Sequence, residues 1–149
     1  MSFWGGMVRG QDIKKLRAAT FGIPQSVWDA AKLEARDQLI IVAKQGKTIS
    51  YGDLAAMIKS ISFAADDDPF HKLLGQVSIE EHDAGRGMLS VLVVHKGGNL
   101  RPGAGFFELA LLLGRDIRDR EKFWTEEFTR VINVWGKLAE HRSPICNSA

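Results

Sequence analysis

The apolar run "MLSVLVV" at residues 88–94 constrains the fold more than any other stretch of this sequence. A short, valine-rich run flanked by glycines is typical of a buried β-strand. It is far shorter than the roughly 20 apolar residues that a membrane-spanning helix needs. Apolar residues elsewhere mostly recur at helical spacing. The sequence therefore predicts a helix-rich α+β fold around a small sheet.

An amphipathic helix is predicted after Ser26. Ser26 and Asp29 have the S-x-x-D spacing of a capping box, and Gly46 is a suitable end. Apolar residues recur at steps of three and four between these points, which defines one buried face. Trp28 and Leu39 on that face are predicted core residues.

The stretch "TISYGDLA" repeats the capping pattern with Ser50 and Asp53 at the start of a second helix. Gly52 is unfavourable in a first helical turn, so we expect another backbone or a ligand to come close to it. Farther along, three aspartates and a proline precede a third predicted helix over residues 70–81. Acidic residues and proline are both favoured at a helix N-terminus.

The C-terminal third begins with a basic, glycine-rich loop at residues 97–105, predicted to form a β-hairpin wing. A helix with an aromatic stripe of Trp124, Phe128 and Trp135 follows. The order of helix pair, strand and wing fits a winged helix. We therefore predict an α+β, winged-helix-like domain with a small β-hairpin wing and an added C-terminal amphipathic helix.

A chain of 149 residues is the usual length of one domain. We expect a weakly patterned segment at 1–22, the winged-helix-like core at 26–115, the added helix at 116–141 and a tail at 142–149. The predicted core includes Leu92 and Trp135. The sequence has no signal-peptide pattern, so a cytoplasmic protein without membrane contact is expected.

The formal net charge of +2 permits nucleic-acid binding without requiring it. The one cysteine, Cys146, stands in the tail. A single cysteine excludes an intrachain disulfide and a four-cysteine zinc site. We expect no cofactor and no metal.

Three segments resemble those of the alkylguanine-DNA alkyltransferases and their alkyltransferase-like relatives. "SYGDLA" is similar to the family's Ser-Tyr-Gly/Gln-x-Leu-Ala segment, and a Val-Trp pair precedes it in both. "KLLG" at residues 72–75 takes the place of the Arg-Ala-Val-Gly segment that inserts into DNA. "VVHK" at residues 93–96 takes the place of Pro-Cys-His-Arg, and the resemblance spans residues 26–115.

The resemblance implies DNA binding without alkyl transfer. Val94 stands where the family has its nucleophilic cysteine, and valine cannot accept an alkyl group. The counterpart of Tyr51 presses on the phosphate of a flipped nucleotide in that family. The alternative role for Tyr51 is a buried hydrogen bond at a helix start.

Four residues are the candidate DNA contacts: Tyr51, Lys72, Lys96 and Arg101. The helix at 70–81 would approach a groove of duplex DNA, and the basic residues of the wing would meet phosphates. Gly103 and Gly105 let that loop approach a phosphate or a partner backbone closely. Binding of this kind requires the aspartates at 66–68 to lie away from the contact.

Two other readings stay open, a protein-interaction module and a small enzyme. The first would use the stripe of Trp124, Phe128 and Trp135 to form a homodimer or to dock on another protein. The second would place an active site around His82, His95 and Glu108. The run "EEHD" at residues 80–83 is ionisable, but neighbouring residues of a helix diverge by about 100° and do not converge on one ion.

Overall fold

The computed structural model describes Leu16, residues 19–96 and residues 102–147, with side chains as far as Gly136. Helices dominate this part of the chain, and two short strands complete an α+β fold. In chain order the elements are α1 (Gln25–Lys44), β1 (Ile49–Ser50), α2 (Tyr51–Met57), α3 (Asp68–Asp83), a 3-10 helix (Leu89–Leu92), β2 (Val93–Val94), α4 (Ala104–Leu112) and α5 (Arg120–Asn147).

Helix α1 confirms the predicted first helix but not its cap. Pro24 is the N-cap residue with φ of −53°, and Ser26 lies inside the first turn. Asp29 accepts a hydrogen bond of 2.9 Å from Gln25 Nε2 instead of completing a capping box. The proline sets the helical entry by its restricted φ, so the serine cap is not needed. Gly46, with φ of +68°, follows the helix end as predicted.

Helix α2 begins as the capping pattern predicts. The Ser50 hydroxyl accepts a hydrogen bond of 3.1 Å from the Asp53 backbone N–H. Gly52 is exposed, and a Cβ at its position would meet only the Ala65 side chain, at 3.8 Å. Within the described residues, no backbone comes close to this glycine.

Helix α3 confirms the predicted third helix, but its middle is buried on all sides. Every residue from 72 to 79 is buried, although the sequence predicts only a stripe. Three polar side chains in and after this stretch, Gln76, Ser78 and Glu81, are hydrogen-bonded to neighbouring elements. This matched set of partners allows the helix to lose its solvent-facing side.

The segment 88–94 forms a strand only at Val93 and Val94, so the longer strand prediction is wrong. Backbone N–H groups of this segment donate to side-chain acceptors instead of to a neighbouring strand. Met88 N–H donates to Glu127 at 2.8 Å, and Ser90 N–H donates to Ser78 Oγ at 2.9 Å. A buried apolar run does not by itself distinguish a strand from a buried turn.

The two strands pair in parallel, Ile49 with Val93 and Ser50 with Val94. The sheet therefore differs from the antiparallel hairpin expected of a wing. Helices α2 and α3 lie between the strands in sequence, which gives the long crossover that a parallel pair needs. Of the expected wing, residues 97–101 lie outside the described residues, and helix α4 begins at Ala104.

Helix α5 packs against α1 and the 3-10 helix and closes the core. The four predicted core residues, Trp28, Leu39, Leu92 and Trp135, are all buried. Trp135 lies beneath two guanidinium groups, with Arg36 Cζ 5.6 Å and Arg86 Cζ 5.9 Å from its ring centroid.

Truncation of Trp135 should destabilise the protein strongly. The side chain is 7% exposed, and Trp135→Ala leaves a cavity and removes the surface on which two arginines stack. We expect a loss of about 3–5 kcal/mol in the free energy of unfolding, measured by chemical denaturation. Leu33→Ala on exposed α1 surface is the control and should change it by less than about 0.5 kcal/mol. Equal effects of the two substitutions would contradict the packing of Trp135.

Candidate functional site

Three aromatic rings stack at the junction of α2, α3 and β2. The Tyr51 ring centroid lies 4.7 Å from that of His71, with an interplanar angle of 18°, and 4.9 Å from that of His95, with an angle of 39°. Tyr51 comes from the first turn of α2, His71 from the first turn of α3, and His95 from the residue after β2. We call this set the aromatic wall.

A cavity of about 170 Å³ lies on one side of the aromatic wall, and we call it the chamber. Its lining is mostly apolar. Beyond the aromatic wall, the lining residues are Leu74 and Gly75 of α3, Ser90 of the 3-10 helix, residues 103–106 and Leu109 of α4. A cavity of about 150 Å³ is enough for one benzene-sized ring. The chamber therefore has the size and surface for a single planar ring.

A second cleft of about 380 Å³ shares the aromatic wall with the chamber, and we call it the polar cleft because three charged residues line it. Its other lining residues are Ser50, Gly52, Asp53, Ala65, Asp66 and Lys96. Charges of both signs thus line one opening, two carboxylates against one ammonium. This mixture weakens its attraction for a phosphate group.

Tyr51 orients the loop that precedes α4. Its hydroxyl accepts a hydrogen bond of 3.2 Å from the Gly103 backbone N–H. Burial raises the pKa of the Tyr51 phenol, although this hydrogen bond opposes the rise. The group therefore stays a neutral phenol at ordinary pH and keeps its own O–H as a donor. The hydrogen-bonded role foreseen for Tyr51 is the one that the contact supports.

Gly103 lies close to the aromatic wall, whereas the approach of this loop to a phosphate or a partner backbone stays a prediction. A Cβ at Gly103 would lie 2.9 Å from His95 Nε2 and 3.4 Å from Tyr51 Oη. The first distance is too short for a methyl group and the second is ordinary van der Waals contact, so a side chain at this position must displace the His95 ring of the wall.

Ser90 adds a hydroxyl to the chamber lining. Its Oγ accepts from Ser78 Oγ at 2.6 Å, and Ser78 in turn accepts from the Ser90 backbone N–H. A hydroxyl that accepts in this way still has its hydrogen to donate. Ser90 and Tyr51 both line the chamber, and each hydroxyl keeps a hydrogen that it can donate.

His71 completes the wall from α3. Its Nε2 lies 2.7 Å from the Ala65 carbonyl oxygen, which fixes the ring beside Tyr51. Burial lowers the pKa of the His71 imidazole, although the hydrogen bond to Ala65 opposes this, and the charge of His95 lowers it further. A neutral ring suits a stacking surface. Sequence reasoning missed His71 and Ser90, because no local pattern marks two residues that only the tertiary fold brings to Tyr51.

The four predicted contact residues have different environments. Lys72 is only 7% exposed, and its Nζ lies 3.5 Å from Asp68 Oδ1. Burial lowers the pKa of Lys72, although Asp68 opposes the shift. Lys96 is exposed and lines the polar cleft. Arg101 lies outside the described residues.

The charges on the exposed surfaces of α2 and α3 do not favour contact with a groove of duplex DNA. Residues 72–79 are covered, and the exposed residues of α3 are Asp68, Glu80 and Asp83. Asp66 lies in the same polar cleft as Lys96, although DNA contact requires it elsewhere. The expected approach of the helix at 70–81 to a groove is therefore not the arrangement of this fold.

The three residues of the alternative enzyme site do not gather at the chamber. His82 follows His71 by eleven residues of α3, which is about 16 Å along the helix axis. Glu108 is not among the residues that line the chamber, and its charge only partly opposes the lowering of the Lys72 pKa by burial. Within the described part of the chain, no three His, Cys, Asp or Glu side chains are grouped to hold a metal ion.

The aromatic stripe of α5 packs mainly on the chain itself. Trp135 is buried, and half-buried Trp124 donates from Nε1 to the Val91 carbonyl oxygen at 3.1 Å. The Phe128 ring lies 5.5 Å from that of Trp124. Most of the described part of this stripe is therefore used inside the molecule. A bilayer-spanning helix is also absent from the described residues.

The segments that carry the family resemblance converge on the chamber. Tyr51 belongs to "SYGDLA", Gly75 to "KLLG" and His95 to "VVHK", and all three line it. Val94, which the resemblance would align with the family's cysteine, is buried in β2 opposite Ser50. Comparison with protein-family models, curated proteins and solved structures gave no match.

The ionisation of Tyr51 gives a direct test of its burial. It is the one tyrosine of the sequence, so the ultraviolet absorbance of the phenolate reports on it alone. Because burial raises the pKa of Tyr51 above the ordinary phenol value of 10.0, the folded protein should reach half-ionisation above pH 10. The unfolded chain should titrate near pH 10 and serves as the control. Identical midpoints in the two states would place the phenol in solvent.

Proposed function

We propose that this chain is a non-catalytic nucleic-acid-binding protein that holds one unstacked base in the chamber. The observation that carries the proposal is a ring-sized cavity bounded by the aromatic wall and by hydroxyl groups that can donate hydrogen bonds. A base outside its stack is bound elsewhere in the same way, by aromatic and apolar surfaces with a few hydrogen bonds to its edge.

The family resemblance supports the same proposal. Its three segments are distant in sequence, yet each contributes a lining residue to the chamber. We further propose a winged-helix-like relationship, with α2 and α3 as the helix pair. With Val94 in place of a nucleophile, binding would proceed without transfer of an alkyl group.

The phosphate contacts in this proposal fall to Lys96 beside the polar cleft and to Arg101. Because few cations would contact phosphate, few counterions would be released on binding. The affinity should therefore depend only weakly on salt concentration. Lys72, which is paired with Asp68, would stabilise α3 and would not contact a phosphate of the bound nucleic acid.

A second candidate function is the binding of a free heteroaromatic molecule. The carboxylates of Asp53 and Asp66 at the polar cleft favour it, because they weaken the attraction for phosphate. The chamber would be used in the same way, without the sugar-phosphate chain.

A substitution that adds a side chain to the lining of the chamber tests both candidate functions. Gly103 has φ of −72° and ψ of 169°, which valine also adopts, so Gly103→Val adds bulk without a backbone conflict. We expect wild-type protein to bind a labelled oligonucleotide at low salt and Gly103→Val to weaken this by about tenfold or more. Fluorescence anisotropy measures both affinities.

The matched control is Gly136→Ala in α5, where a Cβ would meet no atom within 4 Å. It should bind as the wild type does. Binding of free nucleosides without binding of oligonucleotides would select the second candidate. Binding that Gly103→Val leaves unchanged would remove the chamber from either function.

A further inference from the structure

We infer that the partner is a single strand, or a base already unpaired, and not the groove of an intact DNA duplex. The inference rests on the proposed function and specifies which form of nucleic acid the chamber takes. It departs from the duplex contact expected from the sequence, and three features of the structure carry it.

The first feature is the burial of α3. A helix that enters a groove must expose the residues that face the bases, and here residues 72–79 are buried without interruption. Leu73 and Leu74 are part of the core. Exposing this face would require the helix to leave the middle of the protein.

The second feature is the charge of the exposed helical surface. The described helices α2 and α3 contain one lysine, Lys72, which is buried and paired with Asp68. Asp53 is exposed on α2, and the exposed positions of α3 are all acidic. Two strands of phosphates would meet repulsion along this pair of helices.

The third feature is the chamber, which needs few phosphate contacts to bind a base. Stacking on aromatic side chains contributes about 1–3 kcal/mol per base to the binding of single strands. A duplex gains this only after a base pair has opened, at a cost of a few kcal/mol. The unpaired strand avoids that cost and should bind more tightly.

The test compares three labelled DNAs by fluorescence anisotropy at low salt: a single strand, the fully paired duplex of the same sequence, and that duplex with one bulged nucleotide. We expect the single strand and the bulged duplex to bind at least about tenfold more tightly than the paired duplex, since each 1.4 kcal/mol of unpairing is a factor of ten. Gly103→Val should remove this preference, and Gly136→Ala should retain it.

Each other outcome has a distinct meaning. Equal or tighter binding of the paired duplex would overturn the inference and leave the proposed function standing. Absence of binding to all three DNAs would overturn both. If Gly103→Val is unfolded by circular dichroism, Ala104→Trp at the exposed mouth of the chamber replaces it. A preference for single strands that survives the blocking variant would place the contact outside the chamber and also overturn the inference.

Discussion

The burial of residues 72–79 in the middle of α3 is the constraint on which the other elements depend. A helical segment without a solvent face must find a partner for each of its polar groups, because an unsatisfied buried group costs about 1–3 kcal/mol. Gln76 accepts from Trp28 Nε1 and donates to the Leu16 carbonyl oxygen, which ties α1 and the preceding segment to α3. Ser78 Oγ accepts a hydrogen bond from the Ser90 backbone N–H, which ties the 3-10 helix to α3 in the same way. The polar residues of one helix thus fix the positions of its neighbours.

Glu81 extends this logic to a buried charge. Its carboxylate accepts from Arg86 at 2.7 Å and from Arg36 at 3.1 Å, which joins α1 to the turn after α3. Burial raises the pKa of Glu81, but the hydrogen bonds from the two arginines outweigh it and lower the pKa overall. This contribution to stability is therefore complete above the unfolded pKa near 4.5 and is lost as pH falls through the lower folded pKa.

Sequence patterns predicted mainly the features that depend on residues close together in the chain. The Ser50 cap depends on residues three apart, and it is present. The Ser26 cap depends equally on short range, but Pro24 begins the helix earlier and makes it unnecessary. Residues 88–94 were predicted as a strand from their apolar run alone. The side chains that accept hydrogen bonds from this segment, Ser78 and Glu127, lie on α3 and α5, and no residue near the segment in sequence indicates them.

The site follows the same division between local and tertiary forces. Tyr51 stood out from its motif and lies at the centre of the aromatic wall, whereas His71 could be assigned to that wall only after α3 had been placed beside α2. The buried state of Lys72 is a tertiary effect too, since a lysine near a helix start is ordinarily solvated.

Tyr51 shows why a tyrosine and a glycine occupy the first turn of α2. The Ser50 cap fixes the start of the helix, and this directs the Tyr51 ring between two imidazoles. The hydroxyl then reaches across the chamber wall to the Gly103 N–H, which holds the loop before α4 in place. Gly52 next to it leaves the polar cleft open, because it adds no side chain there. One short motif therefore sets the helix start and contributes to the lining of the two openings beside it, so the same residues form a capping pattern and part of the candidate site.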